Sequence, residues 1–156
     1  MPEEIRLIVR GDDFGLCHSA NEAVLKCFKE GILTSASLMV SAPWFLEAAE
    51  ICKENPELAV GVHLTLTCEW NPYRWKPVLP TPEVSTLVDE NGYFRRHGQE
   101  LLAAQPDLDQ IEKEMRAQVE IALRKGIDVA YLDSHMFVGN ATPSMKTIVE
   151  KIAKDC

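Results

Sequence analysis

Three short stretches hold the residues whose types and spacing could do chemistry. In the first, the run of residues 5–10 leads into Asp12 and Asp13, with Phe14 and Gly15 following. Adjacent carboxylates repel, and burial worsens the repulsion. A fold tolerates such a pair cheaply when a cation sits beside it or one acid keeps a proton. In the second stretch, His63 interrupts the apolar sequence Gly61-Val62-His63-Leu64-Thr65. In the third, another apolar run ends in Asp133-Ser134-His135. One acid with two imidazoles is a facial ligand set that leaves room for water. It suits Zn²⁺ or a related divalent ion in an open catalytic site. Such an ion would acidify a water and polarise a carbonyl, and the remaining aspartate would serve as general base. Each residue also has a plainer role. An Asp-Asp pair can be a solvated turn, His63 a hydrogen-bonded core histidine, and Asp133 a turn cap.

The elements around these stretches are what would bring them together. Residues 5–10 read as a first strand. Ser19 opens a helix, with Glu22 completing a capping box and Gly31 stopping it. Residues 35–40 read as a second strand. A helix starts at Pro43 and ends before Pro56, and residues 58–67 read as a β-branched third strand. Asp109 with Glu112 caps a long helix whose inner stripe is Ile111, Met115, Gln118, Val119 and Ala122. Residues 127–133 form a fourth strand. Thr142 then caps a last helix, with Pro143 at its first position. Four βα units in series imply an α/β fold with a parallel sheet and right-handed crossovers. Sites in such folds gather at the C-terminal ends of the strands, so the three stretches share one edge.

Residues 68–106 break the rhythm and are read as an insertion in a single α/β domain spanning 1–156. They hold Trp70, Tyr73, Trp75, Tyr93 and Phe94, and Asn91-Gly92 suggests a tight turn or small hairpin. Trp44, Trp70, Tyr73 and Trp75 could form an apolar wall. Flat rings suit sugars, but they also suit packing or a subunit contact. Packing or an interface is the reading for Trp44, while Trp70, Tyr73 and Trp75 remain substrate-binding candidates.

The formal net charge of −8 argues against nucleic acid or an anionic membrane as the main partner, since both would be repelled. Cys17, Cys27, Cys52, Cys68 and Cys156 are odd in number and lack zinc-finger or C-x-x-C spacing. That points to a reduced setting. The opening Met-Pro-Glu-Glu is acidic and not signal-like, and no apolar run approaches a membrane span. The expectation is a cytoplasmic protein.

Asp12-Asp13-Phe14-Gly15, followed by Asn21-Glu22-Ala23, resembles the opening of the YdjC-like carbohydrate deacetylases. Gly61-Val62-His63-Leu64-Thr65 looks like that family's second motif, and Leu132-Asp133-Ser134-His135 like its third. The resemblance implies a (β/α) barrel-like fold, here an incomplete barrel of about four βα units. It implies hydrolysis of N-acetyl groups from amino sugars, chito-oligosaccharides among them, with a divalent ion such as Mg²⁺ or Zn²⁺. By motif position, Asp13, His63 and His135 would hold the ion, and Asp12 would be the base acting on the attacking water.

Two departures accompany the likeness. Phe137 stands where the family usually has a further histidine, and family members run well past residue 156. An open half-barrel exposes strand edges and an inner face. A homo-oligomer, or a longer chain of which this is the N-terminal part, would cover them. Two other functions compete: metal-assisted phosphoester hydrolysis, and binding of metal or sugar without turnover. The first of these wants a basic phosphate cradle, and no Gly-rich or Lys/Arg-rich loop marks a strand tip.

Overall fold

A parallel ladder organises the chain, and its register decides which side chains can meet. The computed structural model describes residues 5–156. The acidic opening at residues 1–4 lies outside them. The strands are β1 (Arg10–Phe14), β2 (Ser35–Leu38), β3 (Ala59–Leu64) and β4 (Val129–Ser134). The helices are α1 (His18–Glu30), α2 (Phe45–Glu54), α3 (Gly98–Ala103), α4 (Leu108–Arg124) and α5 (Pro143–Asp155). The sheet order is β1-β2-β3-β4, all parallel. Strands that follow chain order without reversal are an arc of a (β/α) barrel; a doubly wound sheet reverses direction. α1 packs on β1 and α2, α4 on β3 and α5, and α5 also on β4. Phe14, Leu38, Leu64, Met115 and Ile152 lie fully buried in the core beneath them.

The first strand lies later than its sequence suggests. Residues 5–8 are exposed, Ile5 at 93% and Ile8 at 80%, and the ladder begins only where Arg10 pairs with Ser35. The apolar run at residues 5–8 finds no covering layer among the described residues. Asp12 and Asp13 consequently lie inside β1 rather than beyond its end. The helix starts shift as well. α1 opens after Cys17 with no side-chain cap, so the Ser19–Glu22 capping box does not form. α2 begins two residues after Pro43. The N-cap of α4 is Asp107, which accepts from the Asp109 N–H, so the Asp109–Glu112 box also fails. At α5 the expectation holds: Thr142 accepts from the Met145 N–H and Pro143 is the first helical residue.

Residues 68–106 are folded onto the sheet rather than hanging from it. Val88 bridges Phe94 in antiparallel fashion around Asn91-Gly92, which is the small hairpin expected there. One buried polar residue of α4, Glu114, anchors the segment, and a second, Gln118, supports Glu114 and holds Thr65 just past β3. Glu114 accepts from the N–H groups of Val78 and Leu79 and from Gln118 Nε2. Gln118 also accepts from the Thr65 N–H and donates to the Thr65 carbonyl, at 2.9 and 2.8 Å. An inner helical stripe thus carries two polar members because each is fully hydrogen-bonded.

Gly61 shows how tightly the open face of the sheet is packed. A Cβ there would sit 2.2 Å from the Tyr131 ring, whose hydroxyl donates to the Ala36 carbonyl at 2.9 Å. Gly61→Ala must push the ring off that carbonyl. We expect a loss of about 1–3 kcal/mol of stability, read by urea unfolding. An unchanged midpoint would show that Tyr131 has room to swing away.

Candidate metal centre

Asp13, His63 and His135 come together. A carboxylate oxygen and one nitrogen from each ring lie within 4.8 Å of one another. The backbone arranges this in three ways. A regular strand would send Asp12 and Asp13 to opposite faces. The pairing of β1 with β2 slips between Gly11 and Phe14, and Asp13 takes a left-handed φ of +58°. A bulge of this kind re-aims a side chain, here toward the histidines. Asp is among the residues that tolerate that region best, although it still costs on the order of 1 kcal/mol or more. Gly15, at φ +99°, then lets the chain turn against the Met39 carbonyl, which a Cβ would approach to 3.1 Å.

The second contribution is register. His63 on β3 pairs directly with Asp133 on β4, so the two side chains share a face. His63 Nδ1 lies 3.0 Å from Asp133 Oδ1, and its Nε2 lies 3.4 Å from Asp13 Oδ1. The third is the exit of β4. His135 Nδ1 is 3.1 Å from Asp13 Oδ1, and its Nε2 is 2.9 Å from Glu69 Oε2. Immediately after it, Met136 and Phe137 both adopt left-handed φ values, +49° and +56°, within the 3₁₀ segment His135–Asn140. Two successive strained residues beside His135 fit the tendency of strain to collect at functional sites.

A symmetry of roles follows. Each histidine turns one nitrogen to Asp13 and the other to a second carboxylate, Asp133 for His63 and Glu69 for His135. With an ion on the inner nitrogens, the outer nitrogens would carry the protons and donate to these carboxylates. Histidines that hold metals are oriented in this way by an outer carboxylate. Asp133 is fixed in turn by Arg10 at 3.0 Å, and Arg10 also grips Asp12 at 2.6 and 3.2 Å. The pair Asp12–Arg10 and the pair Asp133–His135 each use alternate positions at or just past a strand.

Electrostatics match this wiring. Hydrogen bonds from His135 and then His63 hold the Asp13 carboxyl well below the usual carboxylate range. Burial would push both histidines down, but the carboxylates outweigh it. His63 is raised by Asp13 and Asp133, and His135 by Asp13 and Glu69, to about 9. Without an ion, then, the centre is held together by protons on the ring nitrogens. Buried imidazoles and a carboxylate converging on one point form a donor set that fits a divalent cation. Asp13, His63 Nε2 and His135 Nδ1 are the atoms that would hold it.

The other expected site residues divide. Asp12 is half-exposed and paired with Arg10. Trp70 is 49% exposed, and its ring meets Tyr73 edge-on at 6.4 Å. Trp75 does not offer a sugar-facing ring. It is only 2% exposed, donates from Nε1 to the Thr67 carbonyl, and packs its ring 6.0 Å from His135. Phe137 stands 82% exposed. Two participants, Glu69 and Arg10, escape a sequence reading. Alternation along β1 could have exposed Arg10 as the partner of Asp12. Glu69 gives only its position just beyond the third strand.

Removing an orienting carboxylate should weaken the centre without destroying it. We expect Asp133→Asn and Glu69→Gln each to lower affinity for a divalent ion by about 10- to 100-fold, measured by calorimetric titration. Wild-type affinity in both variants would rule out the orienting roles.

Known proteins share this architecture. A carbohydrate deacetylase of Brevibacillus brevis is 38% identical over 151 residues, covering 97% of this chain and 56% of its own length. A carbohydrate deacetylase of Geobacillus stearothermophilus is 37% identical over 147 residues, covering 94% and 55%. The chain spans about half the length of the curated relatives it matches. A crystal structure from Enterococcus faecalis V583, described provisionally as a cellobiose-phosphate cleavage protein, superposes with a TM-score of 0.85 at 32% identity. That superposition covers 95% of this chain and 55% of the other. The family model described as YdjC-like protein matches residues 6–156. That match encloses β1, β3 and β4, the strands that deliver Asp13, His63 and His135, and the chain belongs to the YdjC-like family.

Proposed function

We propose that this chain carries the metal centre of a carbohydrate deacetylase, which hydrolyses N-acetyl groups of amino sugars or chito-oligosaccharides. One observation carries the reading: Asp13, His63 and His135 converge within 4.8 Å at the strand ends. The deacetylase relatives point to the same chemistry. Asp13, His63 and His135 would hold a divalent cation such as Zn²⁺ or Mg²⁺, which would supply Lewis-acid polarisation of the amide carbonyl. Asp12 is the general base. Its carboxylate takes a proton from the water that attacks the acetyl carbon. The C–N bond then breaks as the departing nitrogen takes up the proton that left the water, giving acetate and the free amine. Arg10 fixes Asp12 in direction, while Asp133 and Glu69 keep the imidazoles aimed. Trp70 and Tyr73, beside Glu69, border the sugar that bears the acetyl group.

β1 and β4 are open edges, and a second copy or further strands would cover them. No described helix is long and apolar enough to cross a membrane, and we place the protein in the cytoplasm. Phosphoester hydrolysis is a second reading of the same centre. It is the weaker reading, because Arg10, the cation beside this centre, is committed to Asp12 and Asp133.

The test is acetate release from N-acetylated mono- and oligosaccharides with Zn²⁺, Mg²⁺ or Mn²⁺ added, alongside a phosphatase screen. Asp12→Asn should bind the ion normally yet turn over at least about 100-fold more slowly, the usual span of general-base catalysis. Unimpaired turnover in Asp12→Asn would remove the base assignment. Absence of acetate release with every ion would remove the deacetylase reading.

A further inference from the structure

The metal centre leads outward to a rim of half-exposed rings. Glu69, which touches His135, is followed by Trp70, whose ring meets Tyr73 at 6.4 Å. The Tyr73 hydroxyl donates to the Leu16 carbonyl at 2.7 Å, with the Trp44 side chain nearby. Trp44 is 42% exposed, and its ring lies 5.5 Å from that of His18. The rim is therefore built from the segments that leave β1, β2 and β3.

Rings left open on a surface are common, but these are held in place. Buried Asn21 accepts from the Gly15 N–H at 2.7 Å and donates to the Trp44 carbonyl and to Glu47 Oε2. Glu47 Oε1 lies 2.8 Å from His18 Nδ1. The Trp44 N–H donates to the Gly15 carbonyl at 3.0 Å. Gly15 is two residues from Asp13, so one buried amide ties the outer rings to the end of the strand that carries Asp13. Glu47, partly exposed beside the indole, is a fixed acceptor for hydroxyl groups. An aromatic face next to an oriented carboxylate is what a pyranose ring needs, with C–H groups against the ring and hydroxyls on the acid.

We propose that Trp44, His18 and Glu47, continuous with Tyr73 and Trp70, form a second sugar subsite that grips the residue next to the one being deacetylated. The choice of ligand rests on the deacetylase reading above. The protein then selects chain length: a disaccharide or trisaccharide of N-acetylglucosamine reaches the outer rings, while the monosaccharide does not.

The experiment is calorimetric titration of the chain with N-acetylglucosamine and its β-linked dimer and trimer, in the presence of Zn²⁺. The trimer should bind about tenfold more tightly than the monomer. Trp44→Ala and Glu47→Gln should erase most of that difference while leaving monomer affinity unchanged, and Trp44→Phe should restore part of it. A general folding defect would weaken both ligands together. Equal affinity for monomer and trimer in the unsubstituted chain, or a length preference that survives Trp44→Ala and Glu47→Gln, overturns the subsite. The same titration on His63→Ala separates the two ideas. Length-dependent binding retained there, with no acetate release by the intact protein, would overturn the deacetylase reading and leave the subsite standing.

Discussion

Alanine at either His63 or Asp13 should strip the protein of its divalent ion. Three side chains converge on the centre, and a facial set of three has no redundancy. Loss of an orienting partner alone costs about 10- to 100-fold in affinity. Loss of a ligand itself should exceed about 1,000-fold, enough that dialysed protein retains none. The two variants fail for different reasons. His63→Ala removes one donor and leaves Asp133 facing a gap, still held by Arg10. Asp13→Ala removes a donor and also the negative charge shared by both imidazoles. Elemental analysis after dialysis, with far-UV circular dichroism to confirm folding, reads the outcome. Full occupancy in both variants would mean that the ion, if any, sits elsewhere.

The residues of this centre were legible in the sequence because they are chemically unusual where they stand. A histidine inside an apolar strand, and acids at the ends of apolar runs, are hard to explain as core or surface. What sequence could not give was the geometry that joins them. Strand pairing sets His63 opposite Asp133, and that register depends on the whole sheet. The bulge that re-aims Asp13 has no composition signal, since Asp12-Asp13 reads equally well as a turn. Strand one was misplaced for a related reason. Its most apolar residues, Ile5 to Ile8, look like a buried strand, but the ladder runs through the mixed sequence after them. At α4 the cap moved to Asp107, which accepts from the Asp109 N–H, whereas α1 opens after Cys17 with no side-chain cap at all. The βα rhythm survived all these shifts, because periodicity over a whole helix outweighs any single end residue. Trp75 shows the opposite limit. Ring type alone cannot separate a binding face from a core wedge, and the Trp75 ring is buried against His135.

Raising the pH should sharpen ion binding steeply, because protons and the cation compete for the same nitrogens. In the ion-free protein His135 faces Asp13 and Glu69 with its two nitrogens, and its pKa is held up at about 9. A ligand nitrogen must be bare, so at neutral pH loading has to expel a proton. Below about 9, each unit of pH then changes apparent affinity about tenfold, or ~1.4 kcal/mol. From pH 6 to pH 8 the gain should be about 100-fold, and His63, also raised, can only steepen it. Titrations in buffers of different ionisation enthalpy should count at least one proton released per ion at pH 7. The stability of the ion-free protein should move in the opposite direction. His135 is raised above its ordinary 6.5, so its contribution is fully present below that value and fades as pH climbs through about 9. Asp13 is lowered from 3.8, so its contribution is present above that value and is lost only in strong acid. Between about pH 4 and 6.5 both contributions are whole. Ion-free protein should therefore melt highest in mild acid, while loaded protein gains stability toward alkaline pH. An affinity that is flat between pH 6 and 8, with no proton released, would show that His135 is not displaced by the ion and is therefore not a ligand.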